Sequence, residues 1–273
     1  MPFWLLYFIS DVLAFVAEHI MRYRKAMILN NLRNAFPNKS DKEIQEITSR
    51  YYRNLTDVAL ETFKLLTISK QEFDRRIKIL NVEKMNDLHD ADKSVIATTS
   101  HLCNWEWLLA ICAVHFKSKI DAVYQRINNP FFERLMIRIR SRFGSIPVEK
   151  SQIFRESIKK RNVPHVVALV ADQSPPIVDK QVIWIPFLNQ DTAFYTGMAR
   201  LAKSFGWPVT FAEMQRIRRG FYQVEFKDIC LDPEEITDEE ILKRYAELVE
   251  ASIRKTPENW LWSHNRWKRT RPQ

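Results

Sequence analysis

Glycine is scarce in this chain. There are four in 273 residues, Gly144, Gly197, Gly206 and Gly220. Neither a P-loop nor a dinucleotide fingerprint can be written with them, which argues against a nucleotide-dependent enzyme. Cysteine is nearly as scarce. Cys103, Cys112 and Cys230 have no metal-ligand spacing and form no even disulfide framework, which suits a reducing compartment. No His or Cys cluster has the spacing of a zinc site, so no metal and no cofactor is expected. The apolar start of the chain lacks the basic n-region and small-residue cleavage site of a secretory signal. Internal repeats, low-complexity stretches and a clear linker are also lacking.

Cations and aromatics are abundant. The formal net charge is +9, with eight tryptophans and seventeen phenylalanines. A basic, aromatic-rich chain suits an anionic partner: a membrane, an acidic protein or nucleic acid. Residues Pro2–Met21 are mainly apolar, but Asp11 and Glu18 argue against a simple membrane span. Tyr7, Asp11, Ala14, Glu18 and Met21 fall on one weakly polar stripe, and the rest of the circumference is apolar. That is the pattern of a helix embedded in a membrane surface, the alternative being an ordinary buried helix. Arg22, Arg24 and Lys25, with Arg33 beyond, form the basic cluster that reads anionic lipid on a cytoplasmic face.

Beyond this segment, short apolar runs alternate with amphipathic stretches. Helical periodicity marks Asp41–Leu66, capped by Ser40 or Asp41, and shorter helices over Val82–His89, Pro130–Phe143, Gln152–Lys160, Thr192–Phe205 and Thr237–Ile253. Strands are expected over Val95–Ala97, Ile120–Tyr124, Ser145–Val148, His165–Ala171, Val182–Phe187, Trp207–Glu213 and Tyr222–Asp228, the last nearer an edge. The alternation predicts an α/β fold with a mixed central sheet covered by helices and an N-terminal apolar helix. Residues 1–25 form the membrane-associating helix, and 26–273 one catalytic domain.

The most informative stretch is KSVIATTSHLCNWEWLL, Lys93–Leu109. It reads as a buried strand, a polar turn and a helix start. His101 and Glu106 lie at the junction. On one continuous helix they would be about 140° apart. They meet only with His101 on the turn and Glu106 in the first helical turn. There a carboxylate is stabilised by the helix N-terminus and can fix the imidazole tautomer, leaving the other ring nitrogen as a base. Such a pair is also common by chance, and a lone histidine at a helix start is more often a cap or core residue. The surrounding segments decide.

Those segments resemble the late acyltransferases of lipid A biosynthesis, within the lysophospholipid acyltransferase superfamily. The resemblance is carried by HLCNWE, His101 to Glu106, by LRNAFP at Leu32–Pro37, by QRINNP at Gln125–Pro130 and by ADQ at Ala171–Gln173. IPFLNQDTAFYTGMARLA at Ile185–Ala202 and PENWLWSHNRWKRTRP at Pro257–Pro272 continue it to the end of the chain. Phe187-Leu188-Asn189 stands where the family has two aromatics and a glycine, and Asn tolerates the left-handed turn this requires. The acid in the His motif is Glu, and the Glu-Gly-Thr loop of glycerophosphate acyltransferases is missing. Both favour the lipid A branch.

The resemblance implies a glycerolipid acyltransferase-like fold at the cytoplasmic face of a bacterial inner membrane, peripheral or anchored by its N-terminus. It implies transfer of a fatty acyl group from an acyl carrier protein thioester to a hydroxyl of a lipid A precursor or related glycolipid, with a glycerophospholipid or aminolipid as alternative acceptor. His101 would be the general base and Glu106 its orienting partner. Arg126, Arg138 and Arg140 suit phosphates of acceptor or carrier arm. Asp172 and Gln173 end a buried strand, where α/β sites gather. Two rivals remain. Cys103 could be a hydrolase nucleophile with His101 as base. The alternation of Trp260, Trp262 and Trp267 with Arg266, Lys268, Arg269 and Arg271 could hold RNA or a lipid surface without catalysis; the acyltransferase reading needs no nucleic acid.

Overall fold

The computed structural model describes residues 1–175 and 181–271. Pro272, which ends the Pro257–Pro272 stretch singled out in the sequence, lies outside the described residues. Ten helices and nine strands follow in chain order: α1 Phe3–Phe15, α2 Lys25–Ala35, α3 Asp41–Lys64, α4 Lys70–Arg76, β1 Ile77–Ile79, α5 Val82–Asp90, β2 Val95–Thr99, α6 Trp105–His115, β3 Lys119–Tyr124, α7 Pro130–Ser141, β4 Ile146–Glu149, α8 Ile153–Lys159, β5 His165–Val170, β6 Val182–Phe187, β7 Gln190–Tyr195, α9 Gly197–Phe205, β8 Val209–Arg218, β9 Phe221–Cys230 and α10 Asp238–Lys255. A π-helical turn, Val16–Ile20, extends α1.

The apolar runs become the inner strands. Seven strands form one sheet in the order β1-β9-β8-β2-β5-β3-β4. β2 lies parallel to both β5 and β8, β3 is parallel to β5 and β4, and β8–β9 is the antiparallel pair. β9 is second from the edge, flanked only by the short β1. Helices cover the sheet because its strands are apolar on both sides, as a parallel sheet requires. The mixed α/β architecture with an N-terminal apolar helix is thus what the alternation of the sequence implies. The chain order also fixes where chemistry can sit. His101, Arg126 and Asp172 all follow parallel strands and emerge at one edge, the carboxyl ends of β2, β3 and β5.

Local rules explain most element ends. Ser40 caps α3 in a reciprocal capping box with Glu43. The Thr237 hydroxyl accepts from the Glu240 N–H at the start of α10. One expected helix is corrected. Thr192–Phe205 was expected to be continuous, but residues up to Tyr195 belong to β7, which pairs with β6 in a separate hairpin. Leu188 and Asn189 both adopt left-handed backbone, with φ of 50° and 62°, the two-residue turn that a hairpin requires. The β-branched and aromatic residues Thr192, Phe194 and Tyr195 then prefer the strand. The helix starts only at Gly197.

The polar stripe of α1 faces protein. Tyr7 Oη donates to Glu61 at 2.7 Å, Ser10 Oγ to Asp57 at 2.6 Å, and Arg219 donates to Asp11 at 2.8 Å. Ala14 is buried, and Glu18 accepts from Ser49. Met21, the fifth residue of that stripe, is exposed. On the other side Trp4, Phe8, Val12 and Phe15 are exposed, and Phe3–Ile20 is long and apolar enough to cross a membrane while only 22% of it is buried.

On the far side of the sheet, Glu213 of β8 ties β9 to α10 by accepting from Lys227 at 2.6 Å and Ser252 at 2.5 Å. Burial pushes its carboxyl up, but these donors with Gln215 outweigh it and hold it at about 2. A carboxyl depressed in the folded state stabilises the fold above the ordinary carboxylate range, and the contribution drains away as pH falls through about 4.5 toward about 2. Glu213→Gln should therefore lower stability at neutral pH and flatten this acid limb. Urea unfolding at stepped pH measures it; parallel acid limbs in both proteins would remove Glu213 from the acid response.

Candidate active site

The site is built on the turn after β2. Val95, Ile96 and Ala97 anchor the strand in the core, and His101 follows the polar residues Thr98–Ser100. Asn104 then caps α6, its side chain accepting from the Trp107 N–H at 3.0 Å. Between them Cys103 takes left-handed backbone at φ 55°. The C-terminal segment braces this turn. Cys103 N donates to Asn259 O at 2.9 Å, and Leu261 N to His101 O at 3.1 Å.

Three groups converge on the carboxylate of Asp172, just past the end of β5. His101 Nδ1 lies 2.6 Å from its Oδ1, the His101 backbone N–H donates to Oδ2 at 2.9 Å, and Trp260 Nε1 donates to Oδ2 at 2.7 Å. Burial pushes the Asp172 carboxyl up, but the charge of His101 and these donors outweigh it and hold the group below the ordinary carboxylate range. An ionised Asp172 accepts only, so the proton of a neutral His101 ring sits on Nδ1. Nε2 then carries the lone pair, and it accepts from the side-chain amide of Gln173 at 3.1 Å. The edge of Trp105 packs against the imidazole at a centroid distance of 4.9 Å.

This geometry corrects the expected partner of His101. Both oxygens of Glu106 are taken by Arg140, with Nε at 3.0 Å and Nη2 at 2.5 Å. Glu106 is in the first turn of α6, as expected, but its side chain turns toward α7, and Asp172 occupies the position against the ring. Arg140, expected to bind phosphate, is the other half of that buried pair. Burial alone would push its guanidinium down, and Glu106 more than restores it. Arg126 and Arg138 are exposed, on the loop after β3 and on α7, and neither lines the cavities at His101. Asp172 and Gln173, expected as substrate-binding residues at a strand end, are instead the ones the fold brings to His101.

Trp105 separates two cavities. One, of about 330 Å³, is lined by His101, Asn54, Arg216, Glu258 and Asn259 among others. The other, of about 620 Å³, starts at Thr99, Glu106 and Arg140 and runs beneath α6 between Leu109, Cys112, Phe116 and Phe226. Its walls are almost wholly apolar. Sequence reasoning missed Trp260 as a ligand of Asp172, although it singled out the aromatic C-terminal segment. It also missed His264, whose Nε2 accepts from the Ser174 N–H at 3.1 Å. Burial, with the nearby cations, pushes His264 down to about 4, so it stays neutral beside the site.

Both rivals lose their footing. Cys103 is buried, and that burial pushes its thiol up to about 12, the opposite of an activated nucleophile. Trp260, Trp262 and Arg266 are also buried, so the aromatic and cationic alternation that could stack bases serves the core and Asp172 instead.

A family model for bacterial lipid A biosynthesis acyltransferases matches residues 1–269. The lipid A biosynthesis lauroyltransferase of Escherichia coli strain K12 is 22% identical over 283 residues, covering 100% of this chain and 88% of that protein. A histidine whose Nε2 carries the lone pair, a buried carboxylate behind it and an apolar cavity nearby fit that match, and the chain belongs to the bacterial lipid A biosynthesis acyltransferase family.

Proposed function

We propose that the protein transfers a fatty acyl group from an acyl carrier protein thioester to a hydroxyl of a lipid A precursor, with His101 as general base and Asp172 as its orienting partner. The observation that supports this most is the contact of His101 Nδ1 with a buried, ionised Asp172, which puts the lone pair on Nε2, with His101 lining the smaller cavity. The acceptor hydroxyl gives its proton to Nε2 as its oxygen attacks the thioester carbonyl. Asp172 stabilises the imidazolium that results. Backbone N–H groups in the first turn of α6 receive the oxyanion. The tetrahedral intermediate then collapses, the C–S bond breaks, and the departing thiolate takes the proton from Nε2. Atoms balance with no covalent enzyme intermediate.

The apolar cavity receives the acyl chain. Its apolar walls suit a chain that makes no hydrogen bonds. The Glu106–Arg140 pair frames its mouth and locks α6 to α7. The acceptor's polar head uses the cavity lined by His101 and Arg216. Membrane attachment at the cytoplasmic face rests on α1, whose outer surface exposes Trp4, Phe8, Val12 and Phe15 next to Arg22 and Lys25.

Purified protein with acyl carrier protein thioesters and a lipid A precursor should yield an acylated lipid by mass spectrometry. His101→Ala should lower turnover by ~10²–10⁴-fold. Asp172→Asn should be more damaging than Glu106→Gln, and the reverse order would return the orienting role to Glu106. Filling the apolar cavity by Ala168→Ile should move chain preference toward shorter acyl groups, and an unchanged profile over a thioester series would place the chain elsewhere. On the membrane, Trp4→Ser with Phe8→Ser in the full chain should weaken sedimentation with anionic vesicles, while salt weakens but does not abolish wild-type binding, because apolar burial is not screened. Wild-type sedimentation by the double variant would move the anchor off α1.

A further inference from the structure

α1 is not alone in carrying exposed aromatics. Phe131 and Phe132 are 63% and 48% exposed, and their rings pack edge to face on each other at 5.5 Å. They are not on a loose loop. Pro130 starts α7, and the Asn129 side chain caps it by accepting from the N–H of Phe131 at 2.9 Å and of Phe132 at 3.3 Å. A capped helix start holding two adjacent phenyl rings in water is a feature the fold itself does not require.

The surroundings are basic. Arg126, Arg134 and Arg138 are exposed around the pair. The acid in the first turn of α7, Glu133, is turned inward to accept from Ile127 N at 2.8 Å and Tyr124 Oη at 2.9 Å. The charge left facing outward is positive.

Topology places this patch. α7 follows β3, so its start lies at the carboxyl edge of the sheet, with His101 and Asp172. β8 runs parallel to β2 and continues beyond its end, so the β8–β9 turn projects from the same edge. There Ile217 is 60% exposed, and Arg219 binds Asp57 and the Asp11 side chain of α1. Along the order β8-β2-β5-β3, the strand leading to α1 and the strand leading to Phe131 are three spacings apart, about 14 Å. His101 and Asp172 follow the two strands between. Apolar, cation-flanked points therefore bracket the site, and the apolar cavity begins at that edge with Thr99, Trp105 and Val170.

We propose that Phe131 and Phe132, ringed by Arg126, Arg134 and Arg138, form a second membrane contact that seats the carboxyl edge of the sheet on an anionic bilayer. The inference rests on reading α1 as a membrane helix. With one contact the body can pivot about α1. With two, the edge carrying His101 faces the lipid, and the apolar cavity opens toward the phase from which its ligand comes. Continuity with α1 along one edge favours a bilayer over an acidic protein as the occupant.

Full-length protein and vesicles of phosphatidylethanolamine with phosphatidylglycerol provide the test. Phe131→Ser with Phe132→Ser should lower vesicle partition at least about tenfold without lowering the melting temperature, since both rings are exposed. Because Cys103, Cys112 and Cys230 are buried, a dye reacts selectively with Phe132→Cys. Its emission should shift to the blue on adding vesicles, whereas the same dye at Lys93→Cys, on the opposite edge, should not shift. Unchanged partition overturns the proposal. So does a dye at 132 that stays in water while the protein sediments, which would give the patch to an acidic protein partner. If the Trp4 and Phe8 variant keeps wild-type partition while the Phe131 and Phe132 variant loses it, the reading of α1 fails and this contact stands.

Discussion

A carboxylate as buried as Asp172 keeps its charge only if polar donors replace the water it has lost. Here those donors come from two separate parts of the chain: the ring and backbone of His101 after β2, and the indole of Trp260 near the C-terminus. Satisfying one charge therefore fixes the relative positions of the β2 turn, the end of β5 and the closing segment. The same contacts select the imidazole tautomer. Structural necessity and catalytic readiness are one arrangement, because an Asp172 without these donors would take up a proton and could no longer stabilise an imidazolium.

A second buried acid does similar work one layer away. Glu61 of α3 accepts from Tyr7 of α1 at 2.7 Å, from Tyr222 of β9 at 2.7 Å and from Asn104, the cap of α6, at 2.8 Å. Beside it Asp57 pairs with Arg216 at 2.5 Å and Arg219 at 2.7 Å. Gly220, at φ 74°, completes the turn after Arg219, and a Cβ there would strike the Tyr7 hydroxyl. An apolar helix that merely inserted into lipid would need none of this. The network explains how α1 presents an apolar outer face and is still bolted to the catalytic body: its polar stripe is spent on internal partners, so its remaining surface has only apolar side chains to offer.

The fold was largely legible because each of its signals is local. The run Val95–Ala97, the capping box at Ser40 and the cap at Thr237 are properties of a few adjacent residues, and the structure keeps them. The Leu188-Asn189 turn was legible as a turn, yet the strand after it was not, since Thr192–Phe205 also satisfies a helical period and only pairing with β6 decides between the two. The site was half legible for the same reason. His101 stands out against its strand, and Asp172 and Gln173 stand out as strand ends. That Asp172 meets His101 depends on β2 and β5 being neighbours in the sheet, a contact between residues 71 apart that no spacing rule carries. Glu106 is near in sequence, which made it the natural partner, but Arg140 of α7 takes both of its oxygens.

Glu106 gains a different meaning from that pairing. A carboxylate in the first turn of a helix is already favoured by the helix dipole. What the bidentate pair adds is geometry: it holds α6 against α7 where both line the apolar cavity. Arg140 belongs to the helix whose first turn carries Phe131 and Phe132, and Glu106 to the helix that starts beside His101. On the proposed reading, the membrane contact, the acyl cavity and the base are thereby parts of one rigid unit. A carboxylate from the histidine motif can matter for transfer without touching the histidine, through the alignment of the chain that carries the thioester with the nitrogen that takes the proton.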